Sequence, residues 1–115
     1  MLPDGHIVIL DNGYSRGYSR IVKVDPAAKS IVWEYKADVP ESFFTKIRGA
    51  AIPLPNGNLL VTESEKSHVF ELTPEKEIVW EYYHPEDENG RRRAIYRMVR
   101  YPIDAVAPLL SSEYR

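Results

Sequence analysis

Residues 2–11 read LPDGHIVILD and residues 54–63 read LPNGNLLVTE, so the chain carries one pattern twice. Further along each copy the pentapeptide IVWEY recurs, at residues 31–35 and at residues 78–82. The offset between matched positions falls from 52 to 47 residues along the unit. Repeats of this length that contain only short strands are typical of the blades of a β-propeller.

Between these two landmarks each copy has a short apolar segment that ends on a proline. The segments are RIVKVDP at residues 20–26 and HVFELTP at residues 68–74. Proline fixes the backbone of the turn that follows, so each segment reads as a strand leading into a hairpin. The predicted strands are Gly5–Asp11, Arg20–Asp25, Ile31–Tyr35, Gly49–Ala51, Asn58–Glu63, His68–Thr73, Glu77–Tyr83 and Ile95–Tyr101.

The predicted fold is all-β, with two four-stranded propeller-type blades that form part of a β-propeller. Residues 1–102 form a single domain with repeats at about 2–45 and 46–93, a further strand at 94–101, and a tail at 103–115. The first strand is apolar on both faces, which predicts that it is sandwiched between layers.

The outer strands and the innermost strand carry side-chain patterns that predict their packing. Ile31, Trp33 and Tyr35 alternate with polar or smaller residues, so they are expected to share one face. Trp33 and Trp80 occupy matched positions, which favours packing between neighbouring blades over ligand binding. The small residues from Gly49 to Ala51 fit a crowded innermost strand.

The strand count predicts association between chains. The first repeat starts at its second strand, and the last predicted strand has no blade after it, so each end leaves an unpaired edge. Head-to-tail association with strand exchange repairs both edges, and a ring closes if the rotation per subunit allows it. The expected partner is therefore the chain itself, with a trimer favoured and a tetramer possible. A monomeric open sheet and a fragment of a longer protein are the alternatives.

Composition excludes several classes of partner. The formal net charge is −2, and the basic run Arg91–Arg93 follows the acidic stretch PEDE, so a nucleic-acid partner is not expected. No apolar run approaches the roughly 20 residues of a membrane span. The chain has no cysteine, and its start does not read as a signal peptide. The compartment is open: cytoplasmic by default, periplasmic if the chain belongs to a longer precursor.

The repeat resembles the bacterial arylsulfotransferase family. The stretches LPDGHIVILDNG, SRIVKVDPAAKSIVWEY, RGAAIPLPNGNLLVTE, VFELTPEKEIVWEY and YRMVRYP carry the resemblance, which covers about residues 2–102. It implies a six-bladed propeller that moves a sulfuryl group between phenols through an axial histidine. Where such a histidine is expected before RG, this chain has Lys46 and Ile47, while Arg48 is kept. Among the three histidines, His6 falls in a hairpin turn and His68 starts an interior strand. His84 is therefore the candidate catalytic residue.

The candidate ligand-binding residues follow from their places in the predicted blades. Arg48 and Arg97 fall on comparable inner strands and could form a positive channel lining, or could pair with acidic neighbours. Asp11 ends a strand and opens the loop NGYSRGYS, and loops at a propeller rim can carry function. The full set is Arg48, Arg97, Asp11, Asn12, Arg16 and Glu63. The pattern predicts no metal site and no cofactor.

Three functions agree with this reading. The first is a binding or scaffold module that holds a small anionic or aromatic ligand at the ring axis. The second is an arylsulfotransferase-type enzyme that transfers a sulfuryl group between phenols. The third is a propeller fragment with an assembly role and no ligand.

Overall fold

The structure, a computed structural model, describes residues 2–85. In chain order the strands are β1 (Ile7–Asp11), β2 (Arg20–Asp25), β3 (Ser30–Tyr35), β4 (Ala50–Pro53), β5 (Leu59–Glu63), β6 (His68–Leu72) and β7 (Ile78–Tyr83). They form two antiparallel sheets, a three-stranded sheet 1 in the order β1-β2-β3 and a four-stranded sheet 2 in the order β4-β5-β6-β7. The fold is all-β, as predicted, and the two sheets correspond to the two sequence repeats.

The predicted strands within residues 2–85 are all present, with ends that differ by one or two residues. The fourth strand begins at Ala50, and not at Gly49, because Gly49 has a φ of +92° that an extended strand does not allow. The predicted strand Ile95–Tyr101 and the tail lie outside the described residues. No helix within residues 2–85 is long and apolar enough to cross a membrane.

The hydrophobic core lies between the two sheets. Tyr35 of β3, Phe43 of the β3–β4 connection and Phe70 of β6 pack as a cluster of three rings with centroids 5.6–6.4 Å apart. Ile21 from sheet 1 and Val61 from sheet 2 are both fully buried beside them. The core residues that lie on strands occupy the apolar positions of the alternating pattern. This pattern therefore directs one face of sheet 1 onto one face of sheet 2.

Two further contacts hold the sheets together. The indole Nε1 of Trp33 donates a hydrogen bond to the carbonyl oxygen of Pro74, in the β6–β7 turn of the other sheet, at 3.0 Å. Trp33 therefore joins the two sheets as predicted.

The start of the inner strand β4 lies close to sheet 1. At Gly49, a Cβ atom would lie 2.6 Å from Leu10 Cδ2 and 2.8 Å from the Thr62 carbonyl oxygen. The expectation of crowding at the start of the inner strand is confirmed.

A bulge changes the outer strand. Lys23 pairs with Trp33, but Val24 pairs with Ile31, so Val32 is the extra residue on β3. Residues that are paired across strands share a face, and Val24 and Lys23 lie on opposite faces of β2. The prediction that Ile31 shares a face with Trp33 is therefore wrong. Sheet 2 has the same irregularity, with Glu71 opposite Trp80 and Leu72 opposite Ile78.

The two copies of the first motif differ in burial. All five residues of β5 are buried. In β1, by contrast, Ile9 is 43% exposed, whereas its counterpart Val61 is fully buried. Within residues 2–85 one layer packs on β1, against its Val8 and Leu10 face, so the prediction that the strand is sandwiched between layers stays a prediction.

Candidate functional site

Charged side chains gather at the edge of sheet 1 where β1 ends and β2 begins. Arg20 Nε donates to Asp11 Oδ2 at 2.8 Å, and its Nη1 donates to Glu34 Oε2. Arg16 Nη1 lies 3.4 Å from the same Asp11 oxygen. The antiparallel register places Asp11 directly opposite Arg20, so the cluster follows from the strand pairing.

The ion pairs of this cluster shift the pKa of both partners. The hydrogen bond from Arg20 lowers the pKa of Asp11 below its ordinary value, against the opposing effect of partial burial. The hydrogen bonds to Asp11 and Glu34 raise the pKa of Arg20. The ion pairs of this cluster thus tie β1, β2 and β3 together.

Sheet 2 carries a related cluster at the matched positions. Glu63 ends β5, His68 begins β6 opposite it, and Glu81 lies on β7. His68 Nδ1 lies 2.9 Å from Glu63 Oε1, and His68 Nε2 lies 3.0 Å from Glu81 Oε1. The imidazole therefore stands where sheet 1 has the guanidinium of Arg20, with a carboxylate on each side.

The two carboxylates of the second cluster have different surroundings. The Glu63 side chain is 2% exposed, and its Oε2 accepts the backbone N–H of Phe44 at 2.7 Å and contacts Lys66 Nζ at 3.2 Å. The Glu81 side chain is 49% exposed. The buried carboxylate thus orients the imidazole, and the outer one faces solvent on one side.

This cluster lines a cavity of about 210 Å³ at the boundary between the two sheets. The wall combines aromatic rings, small residues and the polar cluster: Tyr35, Ala37, Ser42, Phe43, Glu63, His68, Phe70, Ile78, Glu81 and Tyr83. The His68 ring stacks on Tyr83 with centroids 4.3 Å apart and planes 8° from parallel. Burial raises the pKa of Tyr35, and the negative charges of Asp38, Glu63 and Glu81 add to this. The cavity therefore offers an aromatic wall and hydrogen-bond acceptors in a negative field.

Of the predicted ligand-binding residues, Asn12 and Arg16 act within the fold. Asn12 Nδ2 donates to the carbonyl oxygens of Thr45 and Arg48 at 2.7 and 2.8 Å, which ties the β1–β2 loop to the chain before β4. The Arg16 guanidinium stacks over the Tyr18 ring at 4.6 Å. The β1–β2 loop is thus held by a contact within the loop and by hydrogen bonds to the chain before β4.

The structure brings some of the remaining predicted residues together and separates others. Asp11 and Arg16 form one cluster, while Glu63 belongs to the cavity in the other sheet. Arg48 is exposed and lies two residues before β4, so its predicted place on the inner strand is wrong. A positive φ of 66° at Arg48 belongs to the turn that precedes the strand. Arg97 lies outside the described residues.

The histidine that lines the cavity is not the one that the sequence favours as a catalytic residue. His84 follows β7, and its backbone N–H donates to the Ser67 carbonyl oxygen at 2.9 Å. His6 lies in a hairpin turn beside Asp4. His68, which the sequence analysis places on an interior strand, is the histidine that lines the cavity. The sequence does contain an indication of this role, because the second repeat has His68 at the position where the first repeat has Arg20.

The histidine–carboxylate cluster has the geometry of an orienting network, and not that of a metal centre. Its two carboxylates bind opposite nitrogens of one imidazole, so the three side chains do not converge on a common point. Within residues 2–85, no group of three or more histidine, aspartate and glutamate side chains could hold a metal ion.

Comparison with known proteins supports the family resemblance that the sequence shows. The sequence model of the arylsulfotransferase (ASST) family matches residues 3–85, which include both sheets and the cavity. No curated protein and no solved structure matches the chain significantly. With most of its length matched and its two sheets ordered as the repeat predicts, the chain belongs to the arylsulfotransferase (ASST) family.

Proposed function

We propose that this ASST-family chain is a binding module that holds a small aromatic ligand in the cavity between its two sheets. The observation that carries the proposal is the wall of that cavity, where Tyr35, Phe43, Phe70 and Tyr83 surround a histidine and two carboxylates. A mostly apolar and aromatic wall with a few convergent polar groups is the usual composition of a small-molecule site.

The size of the cavity suits one substituted benzene ring. An apolar cavity of about 150 Å³ accepts benzene, and this one measures about 210 Å³. The rings of Tyr35, Phe43 and Phe70 already pack with tilted and edge-on geometry, which a further ring can extend. The ligand's polar substituent would then meet Glu81 and His68 at the side of the cavity.

The binding proposal is tested with 2-phenylethanol by isothermal titration calorimetry and by thermal unfolding. We expect binding that stabilises the folded chain, because a ligand that prefers the folded state raises its unfolding temperature. Ala37→Leu should fill the cavity and abolish binding. Ala28→Leu, the same change in an exposed turn, is the matched control and should leave binding unchanged. Equal binding by both variants would contradict the proposed place.

A second candidate function is sulfuryl transfer through His68. It is favoured by the contact between Glu63 and His68 Nδ1, because a buried carboxylate that orients an imidazole leaves the other nitrogen to react. In this proposal Glu81 moves off Nε2, which attacks the sulfur of an aryl sulfate. An S–N bond forms, the S–O bond breaks and a phenolate leaves. The oxygen of a second phenol gives its proton to the Glu81 carboxylate and attacks the sulfur, so that a new O–S bond forms and the S–N bond breaks.

The transfer proposal is tested by release of phenol from an aryl sulfate in the presence of an acceptor phenol. His68→Gln should abolish turnover because glutamine offers no nucleophilic nitrogen, while His84→Gln should retain it. Turnover that is lost in His84→Gln and kept in His68→Gln would contradict the assignment to His68.

A further inference from the structure

We infer that the ligand of the cavity carries a positively charged amino group, which Glu81 binds while the aromatic wall holds the rest of the molecule. This inference rests on the proposed binding function and specifies the charge of the ligand. The sequence predicts an anionic or an aromatic ligand, and the inference favours a cationic aromatic compound over an anionic one.

The first argument is the balance of charge around the cavity. Glu63 and Glu81 contribute two carboxylates, and His68 between them is the single basic side chain among the lining residues that fall within residues 2–85. The β5–β6 connection contributes one cation, Lys66. Its Nζ lies 3.2 Å from a Glu63 carboxylate oxygen and donates a hydrogen bond to the Ser42 carbonyl oxygen at 2.6 Å. Because Lys66 is engaged in this way, an anion entering the cavity would meet the carboxylate of Glu81 without a free cation of the β5–β6 connection to offset it, whereas a cation would be attracted.

The second argument separates the two carboxylates. Glu63 is buried and is held by Phe44, Lys66 and His68, so its charge is compensated within the fold. Glu81 has a half-exposed side chain and one hydrogen-bond partner, His68, among residues 2–85. A carboxylate can accept several hydrogen bonds. Glu81 therefore has acceptor capacity to offer an ammonium group that arrives from solvent.

The third argument is the wall itself. Tyr35, Phe43, Phe70 and Tyr83 all line the same space. An ammonium near an aromatic face is attracted by the ring quadrupole, by about 0.5–2 kcal/mol depending on desolvation. The acidic and aromatic groups thus favour the same class of ligand, a small amine that carries an aromatic ring.

The experiment compares three probes that share a phenyl ring and a short chain but differ in charge: phenethylamine, 2-phenylethanol and 3-phenylpropionate. Calorimetry at neutral pH should show the amine binding at least tenfold more tightly than the alcohol, and the carboxylate binding most weakly. Added salt should reduce the preference for the amine, since part of it is a screened charge interaction.

Glu81→Gln identifies the group responsible. It should weaken phenethylamine binding about tenfold, in the range of a hydrogen bond to a charged group, and weaken 2-phenylethanol binding much less, because the amide oxygen of glutamine still accepts a hydrogen bond from the hydroxyl group. Retained alcohol binding also shows that this variant is folded. Glu75→Gln, which removes one negative charge from the exposed β6–β7 turn, is the matched control and should retain the amine preference.

The outcomes separate the two proposals. Binding of the amine and the alcohol with equal affinity would overturn the charge inference and leave the binding function standing. Tighter binding of 3-phenylpropionate would overturn it in favour of an anionic ligand. A preference for the amine that persists in Glu81→Gln would exclude Glu81 as its source. Absence of binding by all three probes would overturn the binding function together with the inference.

Discussion

At the scale of single residues, the two sheets use the same three positions with different basic groups. Sheet 1 places Arg20 between Asp11 and Glu34, and sheet 2 places His68 between Glu63 and Glu81. Arginine remains charged at any ordinary pH, whereas an imidazole can also act as a base or a nucleophile. The substitution therefore changes a purely structural ion pair into a group with chemical capacity, at the position where a cavity adjoins it.

The first prediction concerns Asp11 and pH. Because the pKa of Asp11 is lowered in the folded state, its contribution to stability is present above the unfolded-state pKa of about 3.9 and is lost as pH falls through the folded value. Asp11→Asn should lower the free energy of unfolding at pH 7 by only about 0.5–1 kcal/mol, since the pair is partly solvated.

Urea unfolding of wild type and variant over a range of pH measures this difference. The stability curves of the two proteins should converge as pH falls below the lowered folded-state pKa of Asp11, where the carboxyl is protonated in both states. A gap that stays constant from pH 7 to that region would show that Asp11 acts through packing or a neutral hydrogen bond.

The candidate site was only partly predictable from sequence. Glu63 was identified because it occupies the position of Asp11 in the repeat, and the cavity contains it. His68 was set aside because the sequence shows that it starts an interior strand but not that the neighbouring sheet leaves a space beside it. The roles of Asn12 and Arg48 depend on hydrogen bonds across more than 30 residues, which strand patterns do not report.

At the scale of the elements, periodicity located the strands and backbone geometry set their ends and faces. The alternation in IVWEY predicted the outer strands, but the bulges at Val32 and Val79 shift the pairing by one residue in both sheets. A bulge adds a residue without altering the apolar pattern, so the sequence does not show it. The small residues predicted the inner strand of sheet 2, β4. They are needed because a side chain at Gly49 would collide with Leu10 and with the Thr62 carbonyl oxygen.

The second prediction compares two glycines with similar backbones. Gly49 and Gly57 have φ values of +92° and +88°, so alanine is strained at both. At Gly49 the new methyl would also lie within 3 Å of Leu10 and of the Thr62 carbonyl oxygen, whereas at Gly57 nothing lies within 4 Å. Gly49→Ala should lower the free energy of unfolding by about 3 kcal/mol and Gly57→Ala by about 1 kcal/mol.

Denaturant unfolding of both variants checks this difference, and the gap between them isolates the steric contribution from the backbone strain. Equal losses in the two variants would mean that β4 shifts away from Leu10 to make room, so that the inner strand is less tightly held than its contacts indicate.

At the scale of the whole molecule, sheet 1 has one face packed on sheet 2 and an opposite face that is partly exposed. Val8, Leu10 and Ile21 pack towards sheet 2. The opposite face carries Ile7, Ile9, Val22 and Val24, which pair across β1 and β2; Ile9 is 43% exposed, whereas Val22 is buried. The matched residues of sheet 2 are Leu59, Val61, Phe70 and Leu72, and all four are buried against sheet 1. We propose that this partly exposed face of sheet 1 is covered in a head-to-tail homo-oligomer, of which the trimer remains the favoured form.

The third prediction follows from this proposal. Light scattering after size exclusion should give a multiple of the 13.3 kDa chain mass, with three copies favoured. Ile9→Lys should reduce the mass to that of one chain, because a lysine in an apolar interface must lose its hydration. Ile47→Lys, a change of the same kind at an exposed loop residue, should leave the mass unchanged. A wild-type mass of one chain would contradict the proposed association.

The hydrogen bond from Trp33 to Pro74 fixes sheet 1 to the β6–β7 turn of sheet 2. The wall of the cavity contains Tyr35 of β3 in sheet 1 and Ile78, the first residue of β7 after that turn. A ligand bound as proposed would therefore bridge the two sheets at their junction, as a third element of the boundary and not as an occupant of one sheet alone.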